Sequence, residues 1–202
     1  MKSSPDTPGR TDLTGYEVLV GVCGGIAAYK VCEVVSSLVQ RGAAVTVAMT
    51  RSARRFVGPV TFQALTGRRV LTSLWHGRDV ADMQHITLTD AADLMLIAPA
   101  TANVIGKMAC GIADDLVSTL VIGAASPVVL VPAMNDRMWG NPIVQRNVAT
   151  LTEQGYKFIG PGEGWLACGR VGPGRMAEAE EIVSVVIPML EASPAKRMAK
   201  VE

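Results

Sequence analysis

The sequence PVVLVPAMNDRMW, at residues 127–139, decides the fold class of this chain of 202 residues. Its first half, 127–131, is a continuous apolar run, which is typical of a strand buried on both faces of a parallel sheet. Pro132 lacks a backbone N–H group and is predicted to end that strand. Asn135 and Met138 then follow at the carboxyl end of the strand, where open α/β sheets bind ligands. The same pattern also fits a proline-terminated turn whose Met and Trp side chains fill the core.

Strand and helix patterns alternate along the rest of the chain, which predicts a parallel sheet with helices on both faces. Strands are predicted at 17–22, 43–49, 93–98, 127–131 and 156–159, helices at 26–40, 114–123, 142–154 and 178–190, further helix starts at 50–52 and 99–103, a short helix and a short strand within 56–71, and a glycine-rich loop at 160–174. We therefore expect one α/β domain over residues 15–192, with a disordered tail at 1–14 and a tail or linker at 193–202.

The composition excludes several classes of protein. Apolar residues make up 49% of the chain and aromatic residues only 4%, which suits buried strands covered by helices. The 19 basic and 18 acidic residues form no basic stripe, so nucleic-acid binding is not expected. No apolar stretch reaches the length of a membrane span, and the polar N-terminus lacks the apolar centre of a signal peptide, so we expect a cytoplasmic protein. The four cysteines have no metal-ligand spacing and are expected to be reduced thiols, with no metal site.

A glycine turn, GVCGGI at residues 21–26, follows the first strand and opens a helix. Backbone N–H groups at such a turn bind phosphate, and Gly24 and Gly25 allow close approach. The turn is not GxGxxG, and Thr50 rather than an acidic residue ends the second strand, so a dinucleotide site is not indicated. Hydroxyls from Thr50 and Ser52 suit a mononucleotide phosphate instead. The alternative is a plain tight turn between strand and helix.

Two further segments carry candidate functional side chains. His85 lies between apolar neighbours just before the central strand, and imidazole is a natural proton shuttle near neutral pH. A histidine in such a position is also common as a packed residue without a catalytic role, and His76 lies in a polar turn that is typical of the surface. Small residues at 98–100 would let a planar ligand approach, and Thr101 and Asn103 could meet its polar edge. Thr101 also fits a helix N-cap.

Cys168 lies in the predicted glycine-rich loop at residues 160–174. A loop of this length is longer than a simple connection needs, and such loops often act as lids over a site. A cysteine there can be exposed and reactive. The alternative is a loop thiol without a role, since loops vary freely.

Taken together, these motifs resemble the homo-oligomeric flavin-containing cysteine decarboxylases. The motifs stand in that family's order, as GGIAAYK at 24–30, HI at 85–86, APATAN at 98–103, PAMNDRMW at 132–139, ACG at 167–169 and GPGRM at 172–176. The similarity covers about residues 17–190. The asparagine motif and the ACG loop are specific to the family, whereas the glycine turn is not.

The resemblance implies a three-layer flavodoxin-like or Rossmann-like parallel sheet, assembled as a trimer or as a dodecamer of trimers, with FMN near the subunit interfaces. The implied FMN phosphate contacts are Gly24, Gly25, Ile26, Thr50 and Ser52, and the implied flavin-ring contacts are Thr101, Ala102, Asn103, Val104 and Ala133. His85 matches the catalytic histidine and Cys168 the catalytic cysteine of a substrate clamp. Asn135 matches the asparagine that binds the substrate carboxylate. The other implied substrate contacts are Met138, Ala167 and Arg175.

The implied activity is FMN-dependent oxidative decarboxylation of 4′-phosphopantothenoylcysteine to 4′-phosphopantetheine in coenzyme A biosynthesis. Loss of CO2 from a cysteine carboxylate leaves a carbanion without an electron sink, and oxidation of the thiol to a thioaldehyde through FMN supplies one. The resulting enethiolate is re-reduced by the reduced cofactor, with Cys168 giving the proton.

Related enzymes offer two alternatives: a peptidyl-cysteine decarboxylase of lantibiotic-type peptide maturation, whose clamp lacks the cysteine, and a non-catalytic FMN-binding regulatory subunit. Many bacterial relatives also carry a fused phosphopantothenoylcysteine synthetase. This chain of 202 residues has no room for that activity, so the enzyme either stands alone or is part of a bifunctional protein.

Overall fold

A computed structural model describes residues 11–74 and 84–196, which alternate strands with helices. The elements in chain order are β1 (Glu17–Val22), α1 (Val31–Val39), β2 (Ala44–Met49), α2 (Pro59–Thr66), α3 (Gln84–Ala91), β3 (Leu94–Ala100), α4 (Ala102–Ala109), α5 (Leu116–Ile122), β4 (Val128–Pro132), α6 (Asp136–Trp139), α7 (Pro142–Glu153), β5 (Lys157–Phe158), β6 (Gly162–Trp165), β7 (Val171–Arg175) and α8 (Ala179–Glu191). Two short 3₁₀ helices, at Ile26–Lys30 and Ala53–Arg55, follow β1 and β2 respectively.

Five parallel strands form one sheet in the order β2-β1-β3-β4-β5. Every residue of β3 and β4 is buried, as their continuous apolar sequences predict. The chain passes from β1 outward to β2 and then returns to the other side of β1 as β3. This reversal creates a crevice at the carboxyl ends of the strands, which is the ligand-binding position in flavodoxin-like sheets. The predicted fold class is confirmed.

Two apolar cores lie on opposite faces of the sheet. Val20 of β1 points into the core formed with α1, α2 and α8, where Phe62 is fully buried. The next residue back, Leu19, points into the core formed with α3, α4, α5 and α7, as side chains alternate along a strand. Both faces are therefore covered, giving three layers. Within residues 11–74 and 84–196 no helix has the length and hydropathy needed to cross a membrane.

The ends of the domain pack more closely than the tails expected from sequence. Leu13 is fully buried and donates its N–H to the carbonyl of Arg41 at 2.6 Å. Ala195 is buried, and the N–H of Lys196 donates to the Asp93 carboxylate at 2.8 Å. Residues 11–14 and 193–196 thus lie against the domain. His76 and the rest of both tails lie outside the described residues.

The prediction of a loop over residues 160–174 is wrong, because this segment is an antiparallel hairpin of β6 and β7. Trp165 pairs with Val171, and the N–H of Leu166 donates to the carbonyl of Arg170 at 2.7 Å to close the turn. Glycine and proline are depleted in strands, so their abundance hid the pairing in the sequence. The single helix predicted at 26–40 is also divided, since its first turn is a 3₁₀ helix.

Candidate active site

A cavity of about 930 Å³ lies where β1, β2, β3 and β4 end. The residues predicted to bind cofactor or substrate, together with the predicted clamp cysteine, all line it: Gly24, Gly25, Ile26, Thr50, Ser52, Thr101, Ala102, Asn103, Val104, Ala133, Asn135, Met138, Ala167, Cys168 and Arg175. His85 is the exception. The carboxyl ends of parallel strands share one edge of a sheet, which explains why motifs far apart in sequence meet here.

One wall of the cavity is the glycine turn after β1, which lies against the loop after β2. A Cβ atom on Gly24 would lie 2.3 Å from Cβ of Ser52 and 2.9 Å from its backbone carbonyl carbon, so the two loops touch only because this residue is glycine. Gly25 has more room, with its nearest neighbour, Pro99, 3.7 Å from a Cβ placed there. Thr50 accepts a hydrogen bond from the Ala53 N–H at 3.2 Å. The two loops thus form one wall of backbone and hydroxyl groups, which suits a phosphate.

The wall after β3 is built by small residues and a capped helix. Thr101 Oγ1 accepts a hydrogen bond from the Val104 N–H at 3.3 Å and caps α4, so the N-cap interpretation is correct while Thr101 also lines the cavity. Ala98 and Ala100 are fully buried. The Ala100 carbonyl accepts a hydrogen bond from the Ala133 N–H at 3.1 Å, which ties the ends of β3 and β4 together.

The side chain of Asn135 is held by both of its ends. Its Oδ1 accepts a hydrogen bond from the Arg137 N–H at 2.9 Å and caps the short helix α6. Its Nδ2 donates to Cys168 Sγ at 3.2 Å. Because a backbone N–H can only donate, the amide oxygen faces Arg137 and the NH2 group faces the thiol and the cavity. The site therefore offers an amide donor to an acceptor such as a carboxylate.

The β6–β7 hairpin carries Cys168 and is fixed at its base to the segment after β4. The Gly174 carbonyl accepts a hydrogen bond from the Met134 N–H at 2.9 Å. A Cβ atom on Gly174 would lie 2.2 Å from the Met134 carbonyl oxygen, and its φ of +128° is one that L residues rarely adopt. Leu166 is buried, whereas Cys168 is exposed at the turn. The hairpin thus covers the cavity as a clamp with a thiol at its tip.

His85 does not join the other predicted catalytic residue. It lies at the start of α3, is partly exposed and is absent from the cavity lining. Helix α3 packs on α5 and on β1, and its last turn leads to the beginning of β3. One copy of the chain therefore brings together Asn135 and Cys168 but leaves His85 outside the cavity that they line.

The Flavoprotein family model matches residues 6–191 of this sequence. The chain belongs to the Flavoprotein family. It is 51% identical over 173 residues to the coenzyme A biosynthesis bifunctional protein CoaBC of Bacillus subtilis, covering 86% of this chain and 43% of that protein. It is 44% identical over 175 residues to CoaBC of Escherichia coli K12, covering 87% and 43% respectively. The chain spans less than half the length of these relatives.

Two solved structures of the family resemble this one closely. A cysteine-to-serine mutant of a PPC decarboxylase, complexed with pantothenoylaminoethenethiol, gives a TM-score of 0.78 at 31% identity, covering 87% of this chain and 98% of that one. The FMN-dependent cysteine decarboxylase SpaF gives a TM-score of 0.77 at 34% identity, covering 89% and 99%. The family membership predicted from the sequence motifs is confirmed.

The sequence reasoning missed charged residues that line the cavity of this Flavoprotein domain. Lys107 of α4 lies 2.6 Å from an Asp114 carboxylate oxygen and 2.7 Å from one of Asp115, and both Lys107 and Asp115 line the cavity. Burial would lower the pKa of Lys107, but the two carboxylates outweigh it and raise the pKa. Burial would raise the pKa of Asp115, but its contacts with Lys107 and Ser118 together outweigh burial and lower the pKa. Lys107 and Asp115 are eight positions apart, and this separation does not predict an ion pair from sequence. The spacing of Asp115 and Ser118 does follow a capping-box pattern.

A second group of charges joins three separate elements. Lys30 Nζ lies 3.0 Å from each carboxylate oxygen of Glu178, and Arg175 Nη2 lies 2.6 Å from one of them. The hydrogen bond from Lys30 is the main reason why the pKa of Glu178 is lowered. Lys30 lies at the end of a 3₁₀ helix, Arg175 on β7 and Glu178 at the start of α8. The group therefore links the base of the hairpin to the domain.

Cys23 also lines the cavity but differs from the clamp thiol. It is buried beneath the glycine turn, and this burial, reinforced by the negative charge of Asp115, raises the pKa of its thiol to about 12. Cys110 and Cys168 are exposed. A thiol that stays protonated and buried is a packing residue rather than a nucleophile. Within the described ranges no group of three or more His, Cys, Asp or Glu side chains is placed to hold a metal ion.

Proposed function

We propose that this chain catalyses the FMN-dependent oxidative decarboxylation of 4′-phosphopantothenoylcysteine to 4′-phosphopantetheine in coenzyme A biosynthesis. The observation that carries the proposal is the hydrogen bond between Asn135 and Cys168, in a cavity that also has a wall of backbone and hydroxyl groups suited to phosphate. The sequence identity to the CoaBC proteins and the structural similarity to a PPC decarboxylase support the same activity.

The residues present fit FMN. The glycine turn after β1 and the loop after β2 offer backbone and hydroxyl groups to its phosphate, through Gly24, Gly25, Ile26, Thr50 and Ser52. The residues at the start of α4 and Ala133 would face its ring. A cavity of about 930 Å³ lies near the upper end of the usual range for ligand pockets, which is compatible with a cofactor and a substrate side by side. When bound, FMN supplies a two-electron acceptor for the thiol-bearing carbon and returns the electrons to the decarboxylated product.

Asn135 and Cys168 act in sequence in this proposal. The NH2 group of Asn135 binds the substrate carboxylate, since the amide oxygen is already engaged by the Arg137 N–H, and this fixes the carboxylate in the cavity that would hold the flavin. A carboxylate there replaces the Cys168 sulfur as the acceptor of that NH2 group. The freed thiol then faces the enethiolate product and donates its proton to it as the product is reduced. Cys168 is thereby a general acid at the tip of the clamp.

We propose that the active form is a cytoplasmic homo-oligomer, a trimer or a dodecamer of trimers, in which His85 lines the cavity of a neighbouring subunit. His85 lies outside its own cavity, and next to it Ile86 is 44% exposed. At the cavity rim, Ile26 and Tyr29 are 61% and 60% exposed, although both are large and apolar. Contact between two copies would bury both apolar surfaces and bring His85 to the substrate as base or positioning group.

Mixed oligomers test this arrangement. His85→Asn and Cys168→Ser are each expected to bind FMN and to lose formation of the reduced product. Co-expression of the two variants should restore part of the activity, because some cavities then combine an intact histidine with an intact cysteine from another copy. Two inactive variants that never complement each other would contradict a shared site.

The activity itself is tested by mass spectrometry of the products formed from 4′-phosphopantothenoylcysteine, after the visible spectrum of the protein has been recorded. The wild type should be yellow and form 4′-phosphopantetheine. Cys168→Ser should release CO2 but stop at a product that lacks two hydrogens, and Asn135→Asp should bind flavin without decarboxylating. A protein that stays colourless after incubation with FMN would refute the proposal.

Peptidyl-cysteine decarboxylation is the second candidate, and the likeness to SpaF, a cysteine decarboxylase, favours it. Cys168 separates the two, because a thiol at the clamp is needed only where the enethiolate is protonated and reduced. A yellow protein that ignores phosphopantothenoylcysteine but decarboxylates peptides ending in cysteine would establish this alternative. We also propose that a phosphopantothenoylcysteine synthetase, fused or separate, supplies the substrate, as the name bifunctional of the CoaBC relatives suggests.

A further inference from the structure

Two cations and a helix start converge at one side of the cavity. Lys30 and Arg175 both line the cavity and both bind the Glu178 carboxylate, which lies behind them and is not part of the lining. The side chain of Lys30 is only 16% exposed and that of Arg175 is 44% exposed. Glu178 is the N-cap residue of α8 but makes no capping hydrogen bond with its side chain. The carboxylate is thus used to hold the cations.

The charges of this group favour an anion in the cavity. Two positive side chains against one carboxylate leave a net charge of +1, and the positive end of the 13-residue helix α8 adds to it. An arginine fork beside a lysine ammonium is suited to phosphate oxygens. By contrast, Arg170 on the same hairpin lies 3.6 Å from Asp136, so this ion pair has one cation and one carboxylate. Arg170 does not line the cavity.

The position of the group matches the far end of the proposed substrate. Because β3 lies between β1 and β4, the carboxyl ends of these two strands are about 10 Å apart across the sheet. Lys30 ends the 3₁₀ helix that follows β1, and Asn135 follows β4. The substrate carries its carboxylate at the cysteine end and a phosphate at the other end. The chain of about thirteen bonds from thiol to phosphorus is as long as four to five extended residues, or roughly 15 Å. With its carboxylate on Asn135, a substrate of this length spans the distance from the end of β4 to the end of β1, the side of the cavity on which Lys30 lies.

We propose that Lys30 and Arg175 form a subsite for the phosphate monoester of the substrate, with Glu178 holding both cations at the cavity wall. This proposal rests on the proposed function and names the feature by which the site selects a phosphorylated substrate. FMN also carries a phosphate monoester, for which the separate wall at Gly24 and Ser52 is available, so the experiment has to distinguish the two sources.

The first experiment compares kcat/KM of the FMN-loaded enzyme for phosphopantothenoylcysteine and for pantothenoylcysteine, which lacks the phosphate. Lys30→Met and Arg175→Gln are each expected to lower the value for the phosphorylated substrate roughly tenfold, since a hydrogen bond to a charged group is lost. Lys30→Met should leave the value for the unphosphorylated compound within about twofold. Lys30→Arg should restore most of the preference. Arg170→Gln removes the same charge from the same hairpin and should leave the ratio unchanged.

The second experiment measures binding without turnover. Calorimetry with FMN-loaded wild type should show tighter binding of phosphopantetheine than of pantetheine, and Lys30→Met should remove the difference. Retention of FMN and of riboflavin should be the same in Lys30→Met as in the wild type. Weaker FMN retention in that variant with an unchanged substrate ratio, or an equal loss for both substrates, would overturn the proposal.

The two proposals fail in different ways. If the wild type turns over neither compound, the proposed function fails, while a calorimetric preference for phosphopantetheine that depends on Lys30 still supports the subsite. If the wild type turns over both compounds equally well and binds both products equally well, the subsite is refuted and the proposed decarboxylation stands.

Discussion

Substituting Gly174 by alanine should detach the clamp from the domain without unfolding it. The added Cβ would lie 2.2 Å from the Met134 carbonyl oxygen and 3.4 Å from the backbone carbonyl carbon of Asn135. Both neighbours are backbone atoms of the segment that follows β4, so no side-chain rotation relieves the overlap. The β6–β7 strands form their own two-stranded sheet, which lets the hairpin move away as a unit. We therefore expect the base of the hairpin to lift.

The size of the effect follows from the strain that alanine adds to the docked state. Alanine at the φ of +128° found at Gly174 costs about 1–3 kcal/mol. The hydrogen bond from the Met134 N–H to the Gly174 carbonyl is broken on opening in the wild type and in the variant alike, so it adds nothing to the difference. A cost of about 1–3 kcal/mol corresponds to an increase of about 5-fold to 150-fold in the population of the open clamp.

Hydrogen exchange of the Met134 amide measures this opening directly, because that amide is bonded only while the hairpin is docked. Its protection should fall by the factor given above, while the amides of β3 keep theirs. Two matched variants serve as controls. Gly169→Ala has a φ of +79° but meets nothing within 4 Å, and Gly172→Ala meets its nearest neighbour, Asp136, at an ordinary 3.4 Å. Wild-type protection of Met134 in Gly174→Ala, or equal losses in all three variants, would refute the reasoning.

Two further predictions concern the charges and thiols around the cavity. Asp115→Asn keeps a side chain that can cap α5 but loses the ion pair with Lys107, which should cost at most about 1 kcal/mol at pH 7 after solvent screening. The pKa of Asp115 is lower in the folded state than its ordinary value of 3.8, so the carboxylate stabilises the fold above pH 3.8 and this stabilisation is lost as the pH falls through the folded-state pKa. The difference in free energy of unfolding between wild type and variant, measured with urea, should shrink over that pH range. A difference that stays constant would contradict the ion pair. Iodoacetamide at pH 8 should label the exposed Cys110 and Cys168 but not Cys23, because burial raises the pKa of the Cys23 thiol to about 12. Peptide mass spectrometry measures the labelling, and a Cys23 labelled as fast as Cys110 would contradict its burial.

The centre of the sheet was predictable because β3 and β4 are apolar along their whole length. Such runs are typical of strands covered on both faces, and the burial of every residue in both strands agrees with this. The hairpin was not predictable in the same way. Gly164 pairs with Gly172 and Pro173 pairs with Glu163, and such residues carry a turn signal rather than a strand signal. The place of the hairpin over the cavity depends on the docking of Gly174 on Met134, a contact that local sequence does not encode.

The candidate site divides along a similar line. Thr101 and Asn135 were singled out by their polar side chains, and each lies within three residues of the end of a buried strand. Their position at the carboxyl edge of the sheet could therefore be predicted. The contacts between them could not. Lys30 and Glu178 are 148 positions apart, and Asn135 and Cys168 are 33 apart. Pairs at such separations have no periodic signal and depend on how the hairpin and α8 return to the sheet.

The same topology explains why His85 is apart from the other predicted residues. Gly24, Thr101 and Asn135 come after strands and reach the shared edge directly, and Cys168 reaches it because the hairpin docks on the segment after β4. His85 instead lies before β3, in a helix that packs on α5 and β1, and it does not line its own cavity. The proposed reaction therefore takes the histidine from another copy of the chain. Under that proposal catalysis needs association of subunits, whereas the two apolar cores form within a single chain.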